Sequence, residues 1–281
     1  MTDKGNLDFR EISEPAELRA VEQLQKEVWG LPDLDVVPVT QLVAAKASGG
    51  VLIGAFDRDK LVGFAYGFAG FENGKPTHHS HMLAVKPEYR SLDLGYLLKL
   101  EQRKRVLVQG IGEMTWTFDP LQSLNAYFNF NKLGVVSDQY FVNFYGEDAA
   151  SFLHQNGTDR LWVTWHLRSP EVQQRIDRSY PSRETGNVEA LVEVGENGSP
   201  RRNTLTIGTL GETAVIEIPA DINDLERLNP EAAGEWRKVT RRAFTELIDA
   251  GFIVDGFTRG DRGDQKVGRY ILEQIKDQGG R

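Results

Sequence analysis

One stretch, from His81 to Leu100, constrains the fold more than any other part of the chain. Its letters, HMLAVKPEYRSLDLGYLLKL, begin as an apolar strand, pass a lysine and a proline, and take up a helical pattern near Leu94. A strand that leads directly into a helix presents free backbone N–H groups and the positive end of the helix dipole. With Arg90 beside this turn, the stretch predicts a phosphate or pyrophosphate site. The alternative is an ordinary strand-to-helix connection with a basic residue in its turn.

The flanking patterns predict strands and helices in a defined order. Amphipathic spacing, glycine closures and a hairpin-like turn at 57–60 mark their limits. In chain order they are strand 9–12, helices 13–29 and 39–47, strands 51–56, 61–68 and 81–85, helix 94–109, strand 114–118, helix 119–132, and strands 135–145 and 160–167.

Three segments are predicted along the chain: a first domain over 1–168, a polar linker or excursion over 169–202, and an α+β subdomain over 203–281. The last contains strand 214–219, helix 230–250 and strands 252–257 and 270–272. This order repeats that of residues 114–167, which suggests a degenerate half-repeat, although a coincidence of common elements explains it equally well.

Leu83-Ala84-Val85, followed by Pro87, Tyr89, Arg90 and Gly95, resembles the acyl-CoA motif of the GNAT superfamily of N-acyltransferases, and the element order is similar too. The resemblance implies an α/β (α+β) fold with a mixed, mostly antiparallel sheet flanked by helices. It also implies acetyl-CoA or succinyl-CoA as acyl donor. The residues implied to bind CoA are Leu83, Ala84, Val85, Arg90, Ser91, Asp93, Leu94, Gly95, Tyr96 and Asn125.

Three positions depart from the family pattern. Asp93 stands where the first motif glycine is expected, and Ser91 where many members carry another glycine. Aspartate tolerates a positive φ, but its charge about 5 Å from a phosphate costs roughly 3 kcal/mol at an effective dielectric of 20, unless the side chain points to water or pairs with a cation such as Arg90. Phe130 stands where members carry the tyrosine that protonates the leaving thiolate. Tyr127, Asn129, Asn131 or solvent would then take its place.

His79 and His81 are the candidate catalytic bases. Acyl transfer to an amine requires deprotonation of an ammonium group. In a regular strand the two imidazoles share one face, near the expected position of the reacting carbon, and His78 faces the other way. The alternative is a polar strand entrance at the surface. A His-x-His pair also suits zinc, but no third ligand follows at useful spacing, so no metal is expected.

A closer resemblance, to a bacterial subfamily of predicted GNAT acyltransferases, rests on Asn143-Phe144-Tyr145-Gly146, Thr158-Asp159-Arg160-Leu161 and Trp236-Arg237. It implies succinyl-CoA as a candidate donor and an amino acid as a candidate acceptor. Arg237 and Arg241 lie four residues apart, so they share a helix face and suit a carboxylate, with Arg160 as a third candidate. The alternative is that they pair with Glu235, Glu246 or another acid.

Composition excludes several classes of function. The net charge of −8 and the pI near 5.3 argue against nucleic acid as a partner. The chain has no cysteine, and no run approaches the ~20 apolar residues of a membrane span, so we expect a cytoplasmic protein. The oligomeric state, including a homodimer, is left open.

The resemblance to the GNAT superfamily implies transfer of an acetyl or succinyl group from acyl-CoA to the amine of a small molecule by direct attack. The backbone between Leu83 and Val85 would supply the oxyanion donor. The alternative is a non-catalytic protein that keeps the scaffold with a degenerate CoA site, which Asp93 and Phe130 favour.

Overall fold

A computed structural model describes residues 7–146, 156–181, 188–195, 197–205 and 207–275. The described residues form two compact units, which divide between Trp116 and Thr117. In this part of the chain no helix is both long and apolar enough to cross a membrane.

The first unit contains five strands and three longer helices. The first helix, α1, runs from Pro15 to Trp29, and Gly30 closes it with a φ of 64°. A short 3₁₀ turn, Pro87–Leu92, separates the fourth strand from the third helix. The bounds are β1 Leu7–Glu11, α1 Pro15–Trp29, α2 Val39–Ala47, β2 Val51–Asp57, β3 Lys60–Glu72, β4 Lys75–Val85, α3 Leu94–Val108 and β5 Glu113–Phe118, of which the last two residues fall in the second unit.

Strands β1 to β4 pair antiparallel with their neighbours in chain order, and β4 pairs parallel with β5. Helices α1 and α2 pack on one face of this sheet. The buried core there includes Leu18, Val21, Leu24, Leu42, Phe64 and Tyr66. Helix α3 also packs against β2 and β3. Because both faces of these two strands are covered, both read as nearly continuous apolar runs.

The second unit is also a sheet with helices. Its strands follow the order β7-β6-β11-β12-β10-β8-β9. All its strand pairs are antiparallel except β8 with β10. The bounds are α4 Ser123–Ala126, a π-helix Tyr127–Leu133, β6 Val136–Phe141, β7 Arg160–His166, α5 Pro170–Ile176, β8 Ala190–Val194, β9 Pro200–Arg202, β10 Thr213–Pro219, α6 Ile222–Leu228, α7 Pro230–Asp249, β11 Phe252–Arg262 and β12 Gln265–Gln274.

The predicted fold class is confirmed: both sheets are mixed and mostly antiparallel, and the first unit has the predicted element order. The predicted division at residue 168 differs from the structure, which divides at Trp116. The predicted linker 169–202 contains α5, β8 and β9, and every residue of β8 is buried. The half-repeat stays a prediction.

Candidate active site

Over the stretch in which the two strands pair, β4 (75–85) has one residue more than β3 (63–72). Tyr66 lies opposite Met82 and Gly67 opposite Ser80, so His81 has no opposite residue in β3 and forms a β-bulge. A regular strand was expected here, and the bulge at His81 is a departure from that expectation. A bulge redirects side chains locally, and here it determines where the His81 ring lies.

The rings of His79 and His81 lie together on one face of the sheet. Both contact Phe68, at centroid distances of 5.4 and 5.6 Å, and they are 6.3 Å from each other. His81 also packs edge-on against Tyr66 at 6.1 Å. His78 lies opposite Ala69 and faces the other way. The predicted placement of the three histidines is confirmed, while their catalytic role stays a prediction.

The edge of β4 that faces β5 is open over its second half. Among the described residues, β4 and β5 pair only at His78 with Met114 and at His79 with Thr115. The N–H of Lys86 donates to Val62 of β3. Because main-chain groups alternate along a strand, those of Leu83 and Val85 point to the opposite, open edge. Those of the buried Ala84 point to β3, where Ala84 lies opposite Phe64.

Two side chains hold the turn that follows β4. The buried Tyr89 donates its hydroxyl proton to Asp57, with an oxygen-to-oxygen distance of 2.7 Å, and this bond raises the pKa of Tyr89. The exposed Arg90 folds back, and its Nε donates to the carbonyl of Val85 at 3.3 Å. This contact places a guanidinium group at the open end of β4.

Helix α3 begins directly after a residue with a left-handed backbone. Asp93 has a φ of 61°, which bears out the expectation that aspartate accepts the conformation of the missing glycine. The amides of Tyr96 and Leu97 donate to the carbonyl of Asp93, so those of Leu94 and Gly95 precede the intrahelical bonds. Leu94 and Tyr96 are buried, so only their main chain is available to a ligand.

Among the described residues, Gly95 has open space where a side chain would stand. A Cβ built on Gly95 would meet only the Leu83 Cδ2 atom, at an ordinary contact distance of 3.6 Å. Glycine is therefore not required here for packing or for its φ. A residue without a side chain at a helix N-terminus suits the close approach of a phosphate group, so these residues fit a pyrophosphate.

His79 takes part in a chain of hydrogen bonds across three strands. Its Nδ1 lies 3.3 Å from the Thr115 hydroxyl, which donates to the Glu72 Oε1 at 2.9 Å. Burial, with the charges of His81 and Lys99, lowers the pKa of His79 to about 4. Burial of the His81 ring among protein atoms lowers the pKa of His81 as well, although part of that side chain is exposed.

A second polar cluster lies on the opposite face of β4, beneath α3. The Lys99 Nζ donates to the Ser80 hydroxyl at 2.8 Å and lies 3.5 Å from the centroid of the Trp116 ring. Ser80 donates to Gln102, whose Nε2 lies 3.3 Å from the His78 Nε2. Burial lowers the pKa of Lys99 well below its usual value.

Sequence reasoning missed this second cluster and also missed Thr115 and Glu72. Lys99 and Gln102 share the stripe of α3 that contains the buried Val106, so their position on the apolar face was a readable signal. The Thr115 contacts join residues 36 and 43 positions away. Only the pairing of the strands reveals them.

The predicted residues of the helix after β5 belong to the second unit. Asn125 is exposed on α4, and Tyr127 opens the π-helix with its ring 4.4 Å from the Arg259 guanidinium. Phe130 is fully buried, with ring centroids of Phe118 and Tyr270 at 6.1 and 5.8 Å. The position where a tyrosine was expected is therefore occupied by a core residue.

The three candidate arginines are engaged within the second unit. Arg237 is 4% exposed and binds Asp119 through two bonds of 2.8 and 2.7 Å. Arg241 binds Asp159 through two bonds of 2.8 Å. Their partners are these aspartates, not Glu235 or Glu246. Arg160 is buried and donates to the Asp159 carbonyl.

No group of three or more His, Cys, Asp or Glu side chains is placed to hold a metal ion within the ranges that the structure covers. No protein-family model matches the chain. No curated protein matches it in sequence.

Solved structures similar to this chain include several acetyltransferases. One of the GNAT family from Desulfovibrio desulfuricans is 17% identical, with a TM-score of 0.46 over 57% of this chain and 99% of its own. A GNAT family acetyltransferase from Elizabethkingia anophelis with acetyl-CoA bound is 15% identical, with a TM-score of 0.44 over 58% and 99%. The aminoglycoside 6'-N-acetyltransferase from Enterococcus faecium is 18% identical, with a TM-score of 0.45 over 58% and 98%.

Proposed function

We propose that this protein is a CoA-dependent N-acyltransferase that acts on the amine of a small molecule. The observation that carries the proposal is the open edge of β4, which runs into the N-terminus of α3 at Asp93. Such an edge offers main-chain groups to an amide-containing arm, and the helix start offers N–H groups to a phosphate. The motif resemblance points to the same ligand.

Different residues of the first unit would bind different parts of the CoA molecule. The amides of Leu94 and Gly95, with the Arg90 guanidinium, would hold the pyrophosphate, and the open edge at Leu83 and Val85 would hold the pantetheine arm. Acyl-CoA, when bound, supplies an activated acyl carbon. The chain itself then has to orient the amine and remove its proton.

His79 and His81 are the groups proposed to receive that proton. His79 stays neutral at pH 7 because burial, with the charges of His81 and Lys99, lowers its pKa to about 4, so it has a lone pair available. Burial lowers the pKa of His81 as well. The acyl group would be acetyl or succinyl, and the acceptor a small amine such as an amino acid. Arg237 and Arg241 bind internal aspartates, so we do not assign the acceptor's carboxylate to them. The cytoplasm is the proposed place of action.

Calorimetric titration with acetyl-CoA and with succinyl-CoA tests this function. We expect micromolar binding of at least one of them, and a preference would identify the donor. Asp93→Asn keeps a residue that tolerates a positive φ and removes the charge near the phosphate, so we expect tighter binding by about tenfold. Asp138→Asn, an exposed position on β6, is the charge-matched control.

The second candidate function is a non-catalytic protein on the same scaffold, favoured by the buried Phe130 and by Asp93. It predicts that neither acyl-CoA binds at millimolar concentration and that Asp93→Asn changes nothing. That pair of results would overturn the acyltransferase proposal.

A further inference from the structure

The hydrogen bonds of His79 define which ring nitrogen bears its proton. The Thr115 hydroxyl has one proton, and it donates that proton to Glu72 at 2.9 Å. Its contact with the His79 Nδ1 at 3.3 Å must therefore be one in which Nδ1–H donates to the hydroxyl oxygen. In this tautomer the lone pair lies on Nε2, where a substrate ammonium group could transfer a proton.

The three side chains share one face because of strand pairing. His79 lies opposite Phe68 in β3 and beside Thr115 in β5. Glu72 lies four residues beyond Phe68 in β3, so it projects from the same face. Thr115 is buried, whereas Glu72 is partly exposed at the end of its strand. The chain of hydrogen bonds thus leads from a half-buried imidazole to solvent.

We propose that His79 accepts the proton of the acceptor ammonium and that Thr115 and Glu72 form a side-chain relay that carries a proton from His79 to water. This inference rests on the proposed acyltransferase function and deepens it, because it assigns the base and its proton path. His79 is the catalytic residue, and Thr115 and Glu72 act through it as positioning residues.

The step balances as follows in atoms and charge. An N–H bond of the ammonium breaks as a new bond forms at His79 Nε2. The Nδ1–H bond breaks, its proton bonds to the Thr115 oxygen, and the original hydroxyl proton bonds to the Glu72 carboxylate. The ring stays neutral in its other tautomer, and Glu72 then releases the proton to water. Exchange of the ring protons with water restores the starting tautomer.

A relay is needed because the surroundings of His79 disfavour an imidazolium ion. The neighbouring titratable groups are His81 on the same strand, His78 on the reverse face, and Lys99 beneath the sheet. These three groups carry no negative charge. The Glu72 carboxylate reaches the ring through Thr115, and transfer through both nitrogens avoids a charged ring in a partly desolvated place.

Three substitutions in the full-length protein separate the relay from a merely structural link. Thr115→Val keeps the shape and removes the hydroxyl. Thr115→Ser restores it and serves as the matched control. Glu72→Gln keeps an oxygen that accepts from Thr115 but cannot take a proton. The readouts are the nitrogen-15 chemical shifts of His79 in the free protein, and kcat with its solvent isotope effect for the amine.

We expect the wild type and Thr115→Ser to show the Nδ1–H tautomer and similar kcat values. Thr115→Val should lose the preference for that tautomer, and its kcat should fall about 10- to 100-fold. Glu72→Gln should keep the tautomer but show a similar fall in kcat and a smaller solvent isotope effect. A structural link alone would not separate tautomer from turnover in this way.

Two results would overturn the relay while the proposed function stands: an Nε2–H tautomer in the wild type, or full turnover by Thr115→Val and Glu72→Gln with normal acyl-CoA binding. If the wild type binds no acyl-CoA and acylates no amine, the proposed function fails and the relay fails with it.

Discussion

The two faces of β4 carry polar clusters of similar composition in opposite circumstances. On one face, His79 is linked through Thr115 to the partly exposed Glu72. On the other, His78 and Ser80 are enclosed with Lys99 and Gln102 under α3. Each cluster has a histidine, a hydroxyl and one charged or chargeable group. The two clusters differ in whether a proton can pass from the cluster to solvent.

This difference indicates separate tasks for adjacent residues of one strand. The enclosed cluster satisfies most of its hydrogen bonds internally, but the His78 Nδ1 has no partner among the described residues. Such a cluster positions the strand at a cost in stability. The face that reaches solvent can exchange protons, and the bulge at His81 brings a second imidazole to it.

The largest expected effect is that of His79→Gln, which is compared with the same exchange at the neighbouring His78. His79→Gln removes the proposed base, and we expect kcat to fall about 10²- to 10³-fold with unchanged acyl-CoA affinity. His78→Gln keeps an acceptor for Gln102 and should leave kcat close to that of the wild type. Equal losses of kcat in both variants would remove the functional distinction between the faces.

Acid should destabilise the protein through the enclosed face. Burial lowers the pKa of His78 from 6.5 to about 4, so the unfolded chain binds one more proton between these values. Stability is thus present above pH 6.5 and is lost as the pH falls, by roughly 3 kcal/mol for this group. Urea unfolding should show a smaller loss between about pH 7 and about pH 4 in His78→Gln. An identical loss in both proteins would contradict this.

The smallest effect is expected for Lys99→Met. The folded pKa of Lys99 lies below its unfolded value, so this group adds stability as the pH rises toward the unfolded value near 10.5. The wild type should therefore gain stability over the variant as the pH rises toward about 10. At neutral pH the lost bond to Ser80 should change the free energy of unfolding by about 1 kcal/mol or less. Parallel pH profiles of the two proteins would show that Lys99 titrates normally.

Local pattern was sufficient for most elements of the first unit, because strands there are bounded by turns and helices by glycine. Local pattern did not predict strand β8, Ala190–Val194, whose five buried residues lie in a polar region with several prolines. A short apolar run has no period that distinguishes a strand from part of a loop. The pairing of β8 with β10 joins residues more than twenty positions apart along the chain.

The candidate site was predictable to the extent that it depends on consecutive residues. Asp93 at positive φ and the shared face of His79 and His81 followed from the sequence. The bulge did not, because it depends on the register with β3. Thr115 and Glu72 did not, because tertiary pairing brings them to His79.

The bulge also gives β4 a position where a residue can be lost without a change of register. Gly67 lies opposite Ser80 and Tyr66 opposite Met82, so removing His81 would make these two pairs consecutive. Every other side chain of the strand would keep its face, whereas a deletion at a paired residue would turn one half of β4 over. Among chains of this fold, insertion and deletion at this point would add or remove one imidazole while the rest of the sheet stays in place.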